Sequence, residues 1–436
     1  MFKKIYAPLS VQWEVIPECN HNCIHCYNYW RRSDVNEPNE KDCSYVSRDK
    51  VVDELIRSKV YDVTITGGEP LLIFDQIKPC IEKLLANKLR VCINTNAALL
   101  NDEIAEYLAQ NSVSILVSLP CCNPEINDQI TGCSGSFIDI IKGIETAKKY
   151  GVKVGVNMVV SKINQQYVIQ TAQFLKEKFG FKSFNATKVG KPINATEEFD
   201  KYALDLNDLR KLFDDLLYIN HELGINVDSL HPYPTCSYVT QESFELLGTK
   251  RKCCAGRTTA GIGFDGNVRA CIRDQHSYGN LKIDTLIECW DRMSDWRDDT
   301  YLPENCKECN NKEICLGSCR VEAFSNSGYL KADDPCVDLS NLPIKLSYPK
   351  SKEIEFNDDE LFLLNEELVI TNEEFGFRVT INAKSVFITD ELCKFIQAYK
   401  GKVFTKVDLK TYFKIDEELT NKLLTFLNKN NLSVVV

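Results

Sequence analysis

The chain has 436 residues, 44% of them hydrophobic, and a formal net charge of −10, enough apolar material for two or three domains and the wrong sign for a mainly nucleic-acid partner. The longer apolar runs are broken by charges well short of a membrane span, and Met1-Phe2-Lys3-Lys4-Ile5 lacks the apolar core of a signal peptide, so a cytoplasmic protein without a membrane partner is expected. Twenty cysteines in so large a chain then point to metal or redox chemistry and not to a disulfide framework.

The first alternating strand (Val11, Trp13, Val15) runs out at Pro17, and Cys19, Cys23 and Cys26 follow at spacing C-x3-C-x2-C. Thiolates are soft ligands that suit iron–sulfur clusters or zinc, and so short a loop can turn all three onto one cluster face. Three are one short of a [4Fe–4S] complement. Either one iron is left to a non-protein ligand or a distant cysteine completes the set. Zinc is the alternative, although its local pairs usually run C-x2-C or C-x4-C.

From Val11 to about Val227, short β-rich runs alternate with longer helical ones, the sequence form of βα units around a parallel sheet. Strands are expected at 60–65, 89–94, 113–119, 152–160 and 181–186. Ser47 is placed to cap a helix striped by Val51, Val52, Leu55 and Ile56, and Asn101 to cap another whose first turn bears Asp102 and Glu103. Polar residues gather where strands end: Gly67-Gly68-Glu69-Pro70 after the second, Asn94 in Asn94-Thr95-Asn96 after the third, Ser118 on the fourth and Asn157 on the fifth. By default a Gly-Gly-Glu-Pro string is a strand-end turn, and Asn94, Ser118 and Asn157 are ordinary backbone partners.

The triplet, with His25 at the aromatic place, resembles the radical S-adenosylmethionine (SAM) signature, and Gly67–Pro70 resembles the second motif of that family. The resemblance implies a partial (β/α)6 barrel whose reactive groups lie at the C-terminal strand ends. It also implies a cluster on Cys19, Cys23 and Cys26, SAM chelating its open iron, the amino group of SAM on Gly67, Gly68, Glu69 and Pro70, and further SAM contacts from His25, Asn94, Ser118 and Asn157. Where related enzymes show Ser-x-Asp-Gly this chain has Ser118-Leu119-Pro120-Cys121-Cys122, while Asp128, Gly132, Ser136, Phe137 and Asn164 resume the family pattern.

After a helix expected from Asn207 to about Leu223, the character changes. Ten cysteines stand from Cys236 to Cys336, more than one zinc site needs and enough for two four-thiolate centres. The dense part, Cys306-x2-Cys309-x5-Cys315-x3-Cys319 followed by Cys336 and preceded by Cys254 and Gly266-x4-Cys271, resembles the SPASM domain of peptide-modifying radical SAM enzymes. Carried over, that resemblance gives one auxiliary [4Fe–4S] cluster to Cys306, Cys309, Cys315 and Cys336, and a second to Cys254, Cys271 and Cys319. Cys236 is preferred as its fourth ligand; Cys253 and an open site are the alternatives. Cys80, Cys92, Cys289 and Cys393 read as buried small hydrophobes, and Cys43, Cys121, Cys122, Cys133 and Cys253 as plain loop thiols.

Pro335, Pro343 and Pro349 bracket a linker. Beyond it, short strands at 368–371, 377–381 and 386–388 lead into three helices, the first capped by Thr389, the second opened by a Thr405/Asp408 capping box, the third striped by Leu419, Leu423, Leu424 and Leu427. This α+β order resembles the winged-helix peptide-recognition element of ribosomal-peptide maturation systems. The expected division is a barrel over 1–228, a SPASM domain over 229–340, a linker over 341–350 and the winged-helix-like domain over 351–436.

The resemblance implies an enzyme that cleaves SAM to a 5′-deoxyadenosyl radical and abstracts hydrogen from a precursor peptide held by its leader. Three [4Fe–4S] clusters and a reductant such as flavodoxin or ferredoxin go with it; the acid or base is not assigned. The rivals are a formylglycine-generating sulfatase-type maturase, a small-molecule cofactor-pathway enzyme, and a non-enzymatic zinc-rich scaffold with a winged-helix binding module.

Overall fold

The computed structural model describes residues 4–28, 45–193, 195–341, 346, 355–373, 376–381 and 384–436. Cys43, Pro343, Pro349 and the start of the expected last domain at Ser351 fall outside them. The chain divides into two compact units, one built on Ala7–Tyr348 and the other on Pro349–Val436 with Lys3–Tyr6. The expected barrel and cysteine-rich segment thus fall within a single unit.

In the first unit, β1 (Ser10–Glu14), β2 (Asp62–Thr66), β3 (Arg90–Thr95), β4 (Ser114–Ser118), β5 (Val154–Val160), β6 (Ser183–Lys188) and β7 (Asn226–Asp228) run parallel in sequence order. The crossovers are α1 (Arg48–Arg57), α2 (Phe74–Ala86), α3 (Asp102–Gln110), α4 (Pro124–Thr131) with α5 (Ser136–Tyr150), α6 (Val168–Phe179) and α7 (Leu206–His221). This is the partial α/β barrel expected from the periodicity. One edge is extended by the cysteine-rich segment: β8 (Thr259–Ile262) pairs parallel with β1 from Ser10↔Thr259 to Trp13↔Ile262, and β9 (Val268–Arg269) returns antiparallel.

Alternation along the strands separates core from site. Ile93, Val117, Val156, Met158 and Ala186 are fully or almost fully buried, while Asn94, Leu116, Ser118, Asn157 and Thr187 face a central cavity. Neighbouring registers, Asn94↔Leu116 and Ser118↔Asn157, keep those side chains level across the sheet. Asn101 caps α3 by accepting from the Ile104 amide, whereas Ser47 occupies the N-cap of α1 without a side-chain bond.

The second unit contains β10 (Leu361–Leu364), β11 (Val369–Glu373), β12 (Gly376–Ile381), β13 (Lys384–Ile388), β14 (Val403–Thr405) and β15 (Ser433–Val435). Two three-stranded sheets, β14-β10-β15 and β11-β12-β13, share a core with helices Asp390–Tyr399, Lys406–Phe413 and Glu417–Lys429. Phe362, Phe395, Phe404, Leu424 and Leu427 are at most 1% exposed, so the unit holds an apolar core of its own. Thr389 caps the first helix, and Thr405 with Asp408 closes a capping box on the second. The Tyr6 amide donates to Glu373 Oε2 at 2.6 Å, and Glu373 pairs with the buried Arg378.

Candidate active site

The loop after β1 is fastened to the rest of the unit by backbone hydrogen bonds. Gly68 N donates to Ile16 O (2.7 Å) and Glu69 N to Glu18 O (2.8 Å), while Asn22 N and Ile24 N donate to Thr131 O and Ile130 O at the end of α4. The two glycines make this contact possible. A Cβ on Gly68 would lie 1.7 Å from Glu18 O, and one on Gly67, at φ +133°, 2.3 Å from Ile16 O. Either atom would displace the cysteine loop, at a cost of about 1–3 kcal/mol or more.

Glu69 ties that turn to the end of β3. Its buried carboxylate accepts from Leu71 N (3.0 Å) and Thr95 Oγ1 (2.7 Å) at Oε1, and from Asn96 N (2.8 Å) at Oε2. Burial raises its pKa against the pull of these donors. A carboxylate has about four lone-pair sites, so one remains at Oε2. Asn96 also reaches the loop, donating to Asn20 Oδ1 at 2.7 Å and approaching Cys19 Sγ at 4.0 Å. Asp128 works on the far side of α4: it accepts from Gly135 N, Ser136 Oγ and Phe137 N and so fixes the start of α5.

These parts meet in one cavity of about 320 Å³. Cys19, Cys23, Cys26, His25, Gly67, Gly68, Glu69, Asn94, Ser118 and Asn157 all line it. Pro70, expected with them, instead opens a buried 3-10 turn capped by Glu69. Asn157 Oδ1 accepts from Thr187 Oγ1 at 2.8 Å. Two buried polar atoms of the lining residues, His25 Nδ1 and Asn28 Oδ1, have no hydrogen-bond partner among the described residues. Burial pushes His25 down to about 4, so its imidazole is neutral at ordinary pH.

The opposite end of the cavity is lined by Lys188, Gly190, His231 and Arg273. Lys188 Nζ and Arg273 Nη2 both bind the buried Glu322, at 3.0 and 2.7 Å. Burial alone would raise the Glu322 carboxyl, but these two charges outweigh it and hold the group well below the ordinary range. Gly190 is required here because a Cβ would meet the Arg273 guanidinium at 2.3 Å.

In the cysteine-rich segment, Cys236, Cys306, Cys309 and Cys315 line one small pocket. Cys253 is buried, whereas Cys254, expected as a ligand, is exposed and donates to Lys252 O at 3.2 Å. Cys336, expected beside Cys306, is 1% exposed, and its amide donates to Asp334 Oδ1 at 3.0 Å. None of the described cysteines forms a disulfide. Among the described residues no three His, Cys, Asp or Glu side chains close on a single-ion site.

Comparison with known proteins bears on the same residues. The profile of the radical SAM superfamily matches residues 13–175, and that of the SPASM iron–sulfur cluster-binding domain matches residues 253–310. The chain belongs to the radical SAM superfamily. Among its relatives, the mycofactocin maturase MftC of Mycolicibacterium smegmatis is 25% identical over 76% of this chain and 83% of that protein. The Fe-coproporphyrin III synthase of Methanosarcina barkeri is 26% identical over 78% and 90%. A solved structure of anSMEcpe with bound AdoMet and the Cp18Cys peptide shares the fold at a TM-score of 0.58 and 19% identity, covering 76% of this chain and 94% of that one.

A radical SAM/SPASM enzyme carries [4Fe–4S] clusters and uses SAM, and the residues present fit both. The cavity supplies three cysteines on one loop, a turn in which no Cβ is tolerated, and two orphaned buried polar atoms for a polar ligand to satisfy. Asn28, Thr95, Asn96, Lys188, His231 and Arg273 were not found from the sequence as site residues. Only Thr95 and Asn96 carried a signal, a polar pair directly after an apolar strand. Among the described residues no helix is long and apolar enough to cross a membrane.

Proposed function

We propose that this radical SAM/SPASM enzyme abstracts hydrogen from a precursor peptide admitted to the cavity. The observation that carries the reading is the cavity itself, bounded at one end by the Cys19/Cys23/Cys26 loop and at the other by Arg273 and Lys188, which are tied through Glu322 to the segment bearing Cys319. The cavity residues would hold SAM beside the cluster, where it would supply a 5′-deoxyadenosyl radical on one-electron reduction by a flavodoxin- or ferredoxin-type donor.

The chain's own residues bind and position. Cys19, Cys23 and Cys26 hold the cluster; Gly67 and Gly68 keep their loop in place and offer backbone groups; Glu69 Oε2 and Asn28 Oδ1 are the acceptors facing an ammonium group. Asn94, Ser118 and Asn157 receive the hydroxyls of the nucleoside. The apolar residues between them, Leu116 and Val159, exclude water from the reacting carbon. Lys188, Arg273 and Glu322 form the floor on which substrate rests. The second unit contributes leader binding, in line with its winged-helix-like order of elements.

A second reading rests on a specific observation: similarity to Fe-coproporphyrin III synthase is as high as that to the maturase, which favours a tetrapyrrole or other small substrate. The two separate in a substrate-coupling assay. We expect 5′-deoxyadenosine formation under dithionite to be stimulated by a leader-bearing precursor, and a mass change to appear in that peptide. Stimulation by a tetrapyrrole alone would replace the peptide reading.

A further inference from the structure

The pocket under Cys236 has a composition that the spacing of the C-terminal cysteines does not imply. Four thiols, Cys236, Cys306, Cys309 and Cys315, bound it, closed by Pro234 and Val337. Three backbone amides already point at sulfur there: Thr235 N at Cys315 Sγ, Asn311 N at Cys309 Sγ and Asp338 N at Cys236 Sγ, each 3.4 Å away. Such N–H donors favour the thiolate and tune a bound cluster.

The third amide is decisive, because it comes from the segment expected to deliver Cys336 as the fourth ligand. That segment delivers an amide to the sulfur of Cys236. It is fixed there by Arg210 Nη2 on Asp338 Oδ2 (2.5 Å) and by Asn341 Nδ2 on Cys236 O (2.9 Å). Cys336 is not among the described residues that line this pocket, and its amide donates to Asp334 Oδ1 at 3.0 Å.

We propose that Cys236, Cys306, Cys309 and Cys315 hold the second auxiliary [4Fe–4S] cluster and that Cys336 is not a ligand. Cys236 lies before the residues matched by the SPASM profile. The assignment rests on SPASM membership and not on the peptide reading, so failure of the peptide assay leaves it standing.

The test compares full-length Cys236→Ala and Cys336→Ala after anaerobic reconstitution, by iron and acid-labile sulfide analysis and by EPR of the reduced proteins. Cys336→Ala is expected to keep the parent iron content and spectrum, and Cys236→Ala to lose about four irons or to give a three-iron signal on oxidation. Loss of iron in Cys336→Ala, or full retention in Cys236→Ala, overturns the assignment. Should either alanine variant not fold, the serine pair decides: Cys236→Ser is expected to shift the reduction potential of one auxiliary cluster through its oxygen ligand and Cys336→Ser to shift none. The reverse pattern overturns the assignment too.

Discussion

Replacing Cys19, Cys23 and Cys26 together by Ala is expected to abolish formation of 5′-deoxyadenosine under dithionite while lowering bound iron by only about four of about twelve atoms. The loss is complete because no other described thiol lines the cavity. The protein should still fold, since the loop is fastened through Gly68 N on Ile16 O, Glu69 N on Glu18 O and the two amides on α4, none of which uses a cysteine side chain. The auxiliary clusters survive because their thiols come from other segments. Retention of SAM cleavage in the triple variant, measured by chromatography of the nucleoside products, would remove the proposed site.

Deleting residues 349–436 is expected to leave uncoupled SAM cleavage within about twofold of the intact enzyme, and to weaken modification of a leader-bearing precursor by on the order of a hundredfold. The deleted unit has its own core around Phe362, Phe395 and Phe404, and every described residue that lines the cavity belongs to the other unit, so its loss is expected to act on binding and not on chemistry. Within that unit β12 is paired on both sides and has no free edge for an extended leader. The edges of that sheet are β11 and β13, and β13 presents Phe387 at 45% exposure, which suits strand addition. The comparison of full-length and leaderless peptides with both enzymes measures the effect; equal processing of the full-length precursor would assign the unit another task.

What the sequence disclosed and what it hid follow from the range of the interactions. The strands β1 to β6 were legible because each is an apolar run bounded by turn residues, and Asn101, Thr389 and Thr405 were legible because a cap bonds its own helix two or three residues on. Ser47 has the right position, but whether its hydroxyl turns to the amides is a side-chain torsion that spacing does not specify. Long-range pairings were invisible. β8 on β1, Lys188 with Glu322, and Cys236 with Cys315 each join residues far apart in the chain, and a cysteine count cannot say which thiols converge. Vicinal Cys253 and Cys254 show the limit most simply: the first is buried and the second exposed, and nothing in their spacing says which. The three-residue strands β14 and β15 are too short for a period to register.

The central claim is that hydrogen leaves a peptide in the cavity, and isotope transfer tests it most directly. Intact enzyme, reduced anaerobically with SAM and a precursor peptide deuterated at its core residues, is expected to yield 5′-deoxyadenosine carrying one deuterium by mass spectrometry, in step with modified peptide. Unlabelled 5′-deoxyadenosine accompanying modified peptide, or label arriving only from a deuterated tetrapyrrole, would contradict it.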